Sequence, residues 1–264
     1  MTRIVVCGAL GRMGRRIVEM ALQDPEVEVA GGVEHPDCVT TSDLGSALGR
    51  EELKGKPLTT ALEDLLPLCD VVVEFSGNTT AAVGHAKLTA LDRKGLVIGT
   101  TGFTQEEIGE IKECAGIAPI ILSPNMSLGV NLLFRLTEIA AKALKGKDFD
   151  VEVVELHHRF KKDAPSGTAL KLAQILGEAF GAEKLTSCRE GHSPRKEGEL
   201  GVFALRGGDV VGEHTVYFLG FGERIELTHR AGSRDTFARG ALEAAKWIKD
   251  RPPGWYSMFD VLNL

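Results

Sequence analysis

Short apolar runs at residues 4–7, 27–33, 71–75, 96–98 and 119–122 punctuate the first half of the chain. Runs of this length bounded by glycine or polar residues read as strands buried on both faces. Between them, apolar positions return at helical spacing, as at Met13, Ile17, Met20 and Ala21. Thr104 followed by Glu107 forms a capping box that predicts where one of these helices starts. Apolar strands alternating with amphipathic helices predict an α/β fold, with an N-terminal doubly wound Rossmann-type parallel sheet.

The pattern changes near residue 127. A long helix carrying Leu132, Leu133, Leu136, Ile139, Ala140 and Ala143 is followed by strands at 151–156, 202–206, 210–219 and 224–229, with a helix at 166–180. Residues 224–229 alternate polar and apolar, as in a sheet with two unlike faces. Gly207-Gly208 can supply the positive φ angles of a tight hairpin, which predicts antiparallel pairing of the strands on either side. One face of this sheet should pack on helix 166–180; the other, through Val216 and Phe218 or their alternates, should need another subunit. The second domain is therefore expected to be α+β on a mainly antiparallel sheet, with residues 186–201 as a mobile loop. The last helix, 236–249, is apolar on one side and suits a return to the first domain. The expected division is 1–126 plus 237–264 for dinucleotide binding and 127–236 for substrate binding and oligomerisation.

Composition narrows the function classes. A chain of 264 residues with 43% hydrophobic and 26% charged residues is ordinary for a globular protein. Its net charge of −6 argues against a nucleic-acid scaffold. No apolar run is long enough to span a bilayer and no leader precedes the first strand, so a cytoplasmic protein without membrane partners is expected. The five cysteines are scattered without metal-ligand spacing, so no metal site is expected.

Gly8-Ala-Leu-Gly11-Arg-Met-Gly14 joins the first strand to the first helix. Glycines there allow a tight turn and close approach of the backbone to a pyrophosphate. A glycine triplet alone is weak evidence, but Glu34 follows Gly14 by about 20 residues, where an acid binds the adenosine ribose. Glu34 would repel a 2′-phosphate, whereas His35, Arg12, Arg15 or Arg16 would attract one. NADH and NADPH are both expected, with NADH at least as good. Gly99-Thr-Thr-Gly102 and Ser123-Pro-Asn-Met126 follow two further strands, at the sheet edge where the nicotinamide end should reach.

The most informative stretch is Glu155-Leu-His-His-Arg-Phe-Lys-Lys-Asp-Ala-Pro-Ser-Gly-Thr168. It delivers His157, His158 and Lys161 into Ser166-Gly167-Thr168, the start of a helix whose free N–H groups suit a carboxylate or phosphate. Neighbouring residues on a strand point to opposite faces, so both histidines can serve one site only if the strand ends there. Histidine suits proton donation near neutrality, Lys161 offers a compact positive charge, and Asp163 suits a turn or orienting role. The implied substrate is small, anionic and in need of a proton.

With these residues in place, the chain closely resembles the 4-hydroxy-tetrahydrodipicolinate reductase (formerly dihydrodipicolinate reductase) family of the diaminopimelate route to lysine. The resemblance runs nearly end to end and includes Gly212-Glu-His-Thr215 and Thr228-His-Arg-Ala-Gly-Ser-Arg234. It implies NAD(P)H-dependent reduction of a cyclic dicarboxylate. His157 looks like the proton donor and Lys161 its catalytic companion, with the choice between them open. His158, Lys161, Ser166, Gly167, Thr168 and Thr101 look like substrate contacts. Gly8, Ala9, Leu10, Gly11, Arg12, Met13, Glu34, Gly99, Thr100, Thr101, Ser123, Pro124, Asn125 and Met126 look like the cofactor site. The family's homotetramers form through the second-domain sheet. Many relatives have arginine after the ribose acid, where this chain has His35. A related NAD(P)-dependent amino-acid dehydrogenase or a non-catalytic dinucleotide sensor would keep the glycine loop and Glu34 but would not need the Glu155–Thr168 string.

Overall fold

The computed structural model describes residues 1–182 and 184–264. It divides into two compact units, one of Met1–Leu128 with Asp235–Asn263 and one of Gly129–Arg234 with Leu264. The first unit begins with β1 (Thr2–Cys7), α1 (Arg12–Ala21), β2 (Val27–Val33), α2 (Leu44–Leu48) and β3 (Leu58–Thr59). It continues through β4 (Val71–Glu74), α3 (Thr79–Leu91), β5 (Gly95–Ile98), α4 (Gln105–Cys114) and β6 (Pro119–Leu122). The second comprises α5 (Leu128–Leu144), β7 (Asp150–His157), α6 (Gly167–Phe180), β8 (Lys184–Thr186), β9 (Glu199–Arg206), β10 (Gly212–Gly220) and β11 (Glu223–Ala231). The chain then returns to the first unit with α7 (Asp235–Ile248), β12 (Gly254–Tyr256) and α8 (Met258–Leu262).

The first unit is a seven-stranded sheet in the order β12-β6-β5-β4-β1-β2-β3, every pairing parallel. Strand β1 shows why its sequence is apolar throughout. Ile4 and Val6 enter a core with Ile17 and Ala21 of α1 and Ala241 and Ala245 of α7. Val5 and Cys7 face the opposite core, with Val83 and Ala86 of α3 and Ile111 of α4. Ile4 is fully buried, and trimming such a side chain to alanine costs about 2–5 kcal/mol. The capping box at Thr104 and Glu107 is present at the start of α4. The strand order reverses between β1 and β4, and ligands of such sheets bind beyond the carboxyl ends of the strands at this reversal.

The second unit is a mixed five-stranded sheet in the order β11-β10-β7-β9-β8. Strand β10 runs antiparallel to both β11 and β7, whereas β9 runs parallel to β7 and β8. The hairpin expected at Gly207-Gly208 is not formed. Strands β9 and β10 lie on opposite sides of β7, and the glycine pair carries the chain past the end of that strand. There Gly207 N–H donates to the His157 carbonyl at 3.0 Å and Arg159 N–H donates to the Gly208 carbonyl at 3.2 Å. Gly208 does adopt positive φ, so the glycines mark a turn but not its partners.

Helix α6 packs on β7, β9 and β10, and Phe180 lies 6.3 Å from Phe218 between ring centroids. Val216 and Phe218 are fully buried, so it is their alternates, Tyr217 and Leu219, that point to the other face. In α5, Val130, Leu133, Phe134 and Thr137 are buried, whereas Leu132, Leu136 and Ile139, three of the apolar positions that marked the helix in the sequence, are exposed. The segment at 186–201, expected as a mobile loop, starts at the end of β8, enters β9 at Glu199 and places two arginines against β7. Arg189 reaches Glu152 at 3.0 Å and Arg195 Nε reaches Asp150 at 2.7 Å. No helix among the described residues is long and apolar enough to cross a membrane.

Candidate active site

In the first unit the glycine loop follows β1 directly. Gly8 has φ of +76°, and a Cβ at Gly14 would stand 2.0 Å from the Gly8 carbonyl oxygen, so neither position admits a side chain. Gly11 is the N-cap of α1. Glu34, just past β2, turns toward this loop: its Oε2 accepts the Leu10 N–H at 2.8 Å and its Oε1 accepts the His35 N–H at 3.0 Å. The spacing of about 20 residues between loop and acid therefore closes into one local constellation. Ala9 is fully buried, Leu10 and Met13 are half-buried, and Gly11 and Arg12 are exposed. Of the neighbouring cations, Arg16 is held by Asp235 and Glu19, and Arg15 donates to the Leu10 carbonyl at 2.8 Å. His35 is exposed and accepts the Asp37 N–H through Nδ1.

The two turns expected at the nicotinamide end lie beyond β5 and β6. Gly99 and Ser123 bond back to the sheet, Gly99 N–H to the Glu74 carbonyl at 2.9 Å and Ser123 N–H to the Ile98 carbonyl at 3.1 Å. Thr101 is exposed, but Thr100 is buried with its hydroxyl donating inward to Glu74 at 3.1 Å. Ser123 and Met126 are likewise buried, Pro124 is exposed and Asn125 is half-buried. These turns thus offer mainly backbone groups and Thr101 to a ligand.

In the second unit β7 ends at His157, which resolves how adjacent histidines are used. His157 is buried on the α6 side, while His158, one residue past the strand, is half-exposed and accepts the Phe160 N–H at 3.2 Å. Glu155, two residues earlier on the same face, is fully buried and organises the cluster. Its Oε2 lies 2.5 Å from His157 Nδ1. Arg206, at the end of β9, grips both carboxylate oxygens at 2.8 Å each, and the Ser166 N–H donates to Oε1 at 3.0 Å. Burial alone would push the Glu155 carboxyl up, but the bonds from Arg206, His157 and Ser166 outweigh it and hold it below its usual range.

His157 titrates below its ordinary value. Burial is the largest cause, Glu155 opposes it, and the positive charges of Lys161 and Arg206 reinforce it. With Nδ1 engaged by Glu155, Nε2 is the atom left to present, and Gly212 leaves space for it, since a Cβ there would come within 2.9 Å. Lys161 is about one-fifth exposed and pairs with Asp163 at 2.9 Å. Ser166 caps α6 by accepting the Ala169 N–H at 3.2 Å and pairs with His214 Nε2 at 3.0 Å. Gly167 is exposed and Thr168 half-buried in the first helical turn. The His214 ring meets the His157 ring edge-on at 5.1 Å, and burial followed by the His157 charge pushes its pKa down to about 3.

The sequence-predicted residues therefore fall into a first-unit group (Gly8–Met13, Glu34, Gly99–Thr101, 123–126) and a second-unit group (His157, His158, Lys161, Ser166, Gly167, Thr168). Glu155, Arg206 and His214 received no role from sequence. The spacing Glu155-x-His157 on one strand face was the available signal for the first. The other two become visible only through register: His157 is opposite Arg206, and Glu155 is opposite His214.

Residues 2–126 match the family model for the N-terminus of dihydrodipicolinate reductase, and residues 129–262 match that for its C-terminus. The chain is 73% identical over 262 residues to 4-hydroxy-tetrahydrodipicolinate reductase of Aquifex aeolicus (strain VF5), covering 99% of each chain. It superposes on a dipicolinate-bound dihydrodipicolinate reductase from Paenisporosarcina sp. TG-14 with a TM-score of 0.81 at 25% identity, covering 98% of each chain. An amine dehydrogenase from Mycobacterium smegmatis, at 13% identity and a TM-score of 0.62 over 97% of this chain and 95% of its own, shares the fold alone. With both units matched in order, this chain belongs to the dihydrodipicolinate reductase family of NAD(P)H-dependent oxidoreductases.

Proposed function

We propose that this protein reduces 4-hydroxy-tetrahydrodipicolinate, by way of dihydrodipicolinate, to tetrahydrodipicolinate in the diaminopimelate route of lysine biosynthesis. The observation that carries the reading is the buried Glu155–His157 pair beside the capped N-terminus of α6. It joins a proton-handling group to a carboxylate-binding backbone, which is what reduction of a cyclic dicarboxylate imine requires. The dinucleotide supplies the hydride when bound. The chain's own residues then bind the substrate and quench the negative charge that develops on its ring. Gly167 and Thr168 at the helix start, with Ser166, His158 and Lys161, hold the carboxylates and fix the ring. His157 delivers the proton through Nε2, Glu155 keeps its ring oriented through Nδ1, and Lys161 stabilises the anion beside it.

The first unit is the dinucleotide-binding domain. Gly8–Met13 cradle the pyrophosphate, Glu34 binds the adenosine ribose, and Gly99–Thr101 with residues 123–126 contact the nicotinamide end. Arg16 is committed to Asp235 and Glu19, which leaves fewer cations for a 2′-phosphate and favours NADH at least as much as NADPH. The second unit is the substrate and assembly domain of a homotetramer. Its sheet face opposite α6 presents Val154, Leu156, Phe203, Leu205, Tyr217 and Leu219, incompletely buried, with Leu205 53% exposed. The protein is assigned to the cytoplasm.

Calorimetric titration with dipicolinate, a stable planar dicarboxylate, tests the substrate assignment. Binding in the wild type that is weakened at least tenfold in Lys161→Ala is the expected result. Equal affinity in both would overturn the assignment of Lys161 to the substrate carboxylates.

A further inference from the structure

Glu74 ends β4 beside the strand-order reversal, opposite Cys7 of β1 and Ile98 of β5. It is fully buried, unlike most carboxylates, and meets the candidate cofactor turn only from behind, through the Gly99 N–H and the Thr100 hydroxyl. Its Oε1 accepts two hydrogen bonds, from the Ser76 N–H at 2.7 Å and from the Thr100 hydroxyl at 3.1 Å. The Thr100 hydroxyl oxygen in turn accepts the Gly77 N–H at 3.1 Å. Its Oε2 meets His85 Nδ1, from α3, at 2.5 Å. One carboxylate thus ties the turn after β4 to the turn after β5 and anchors both to a helix beneath them.

Burial would raise the Glu74 carboxyl, but the His85 and Ser76 hydrogen bonds prevail and keep it below its usual range. The Cys7 sulfur also lies near, and the ligand atoms of Cys7, Glu74 and His85 are within 4.8 Å of one another, a spacing a cation would accept. The chemistry points elsewhere. Both Glu74 oxygens already have hydrogen-bond partners, and burial, then Glu74 itself, holds the Cys7 thiol protonated. The thiolate is the metal-binding form of cysteine.

We propose that Glu74, braced by His85, is a positioning residue that locks the Ser76-Gly77 turn against the Gly99–Gly102 turn and thereby sets where the nicotinamide half of the cofactor rests. The proposal rests on the reading of Gly99–Thr101 as nicotinamide contacts. Thr100 is a link in this brace, and its backbone rather than its hydroxyl faces the ligand.

The test uses the full chain with Glu74→Gln and Thr100→Val and compares NADH with ADP-ribose, which lacks the nicotinamide. Loss of hydrogen bonds to a buried charge should weaken NADH about tenfold in Glu74→Gln, and about threefold in Thr100→Val, where one hydroxyl is lost. ADP-ribose, held by the glycine loop and Glu34, should keep its affinity in both. NADH binding unchanged in the folded variants, or both probes weakened equally, overturns the brace. Thr100→Val leaves the Glu74–His85 pair intact and carries the test if Glu74→Gln does not fold. Should the wild type prefer ADP-ribose to NADH, with no gain from the nicotinamide, the underlying reading of the Gly99–Thr101 turn fails instead.

Discussion

Glu155 and His157 share one face of β7, and Oε2 of the first lies 2.5 Å from Nδ1 of the second. The carboxylate fixes the ring and its tautomer, leaving Nε2 to act. Glu155→Gln should therefore lower kcat by about 10²-fold or more, as when a histidine loses its orienting acid, with NADH affinity unchanged. Steady-state kinetics with calorimetric NADH titration checks this. A variant with wild-type kcat would show that the pair is structural only.

Replacing His157 by alanine should lower kcat by about 10²–10⁴-fold, the range for a lost general acid. Lys161→Ala should raise KM and lower kcat together. The pH profile carries the sign. Because His157 titrates below its ordinary value in the free enzyme, kcat/KM should fall as pH rises through a midpoint below about 6.5. A dianionic substrate beside the ring favours the protonated form, so the kcat midpoint should lie higher.

Substituting Glu34 by alanine should weaken NADH more than NADPH. Hydrogen bonds to the 2′-hydroxyl are lost in the first case, and repulsion of the 2′-phosphate is relieved in the second. Equal weakening by titration calorimetry would remove Glu34 from the ribose site.

Stability should fall on acidification even before the carboxylates titrate. His214 is buried and neutral, with its pKa lowered to about 3, whereas in the unfolded chain it titrates near 6.5. Between those values the unfolded state binds the extra proton, so stability rises with pH across this window, by up to about 1.4 kcal/mol per unit. His157, lowered in the same direction, adds to the effect. Glu155 and Glu74, held low, lose their contribution only below about 4.5. Thermal melts of wild type and His214→Gln from mildly acidic to neutral pH should show a shallower slope in the variant.

The parallel sheet was legible because strands buried on both faces leave a plain apolar signature, as in Ile4–Cys7, and because Thr104 and Glu107 announce a helix start. What escaped was pairing. Gly207-Gly208 specified a turn correctly, but no local feature says that β7 lies between the strands it joins. Helical spacing in α5 likewise identified an amphipathic helix without saying that Val130 and Phe134, rather than Leu132 and Leu136, are covered. Within the site, the histidine–lysine string stood out because its residues are contiguous. Arg206 and His214 lie 51 and 59 positions from Glu155 and enter only through register. Glu74 at the end of β4 and His85 in α3 carried no motif of their own.

Assembly is testable on its own. Sedimentation velocity at micromolar protein should give one species near four times 28.4 kDa, and charged substitutions at Leu205 and Leu219 should dissociate it. A fully active monomer would refute the role given to the outer face of the second sheet.

The central claim meets its most direct test in turnover. Freshly generated 4-hydroxy-tetrahydrodipicolinate is mixed with the purified wild-type protein and either NADH or NADPH, and loss of the reduced-nicotinamide absorbance is followed. Oxidation that requires the dicarboxylate, proceeds at least as well with NADH, and drops by about 10²-fold or more in His157→Ala is the predicted result. No dicarboxylate-dependent oxidation with either dinucleotide would contradict it.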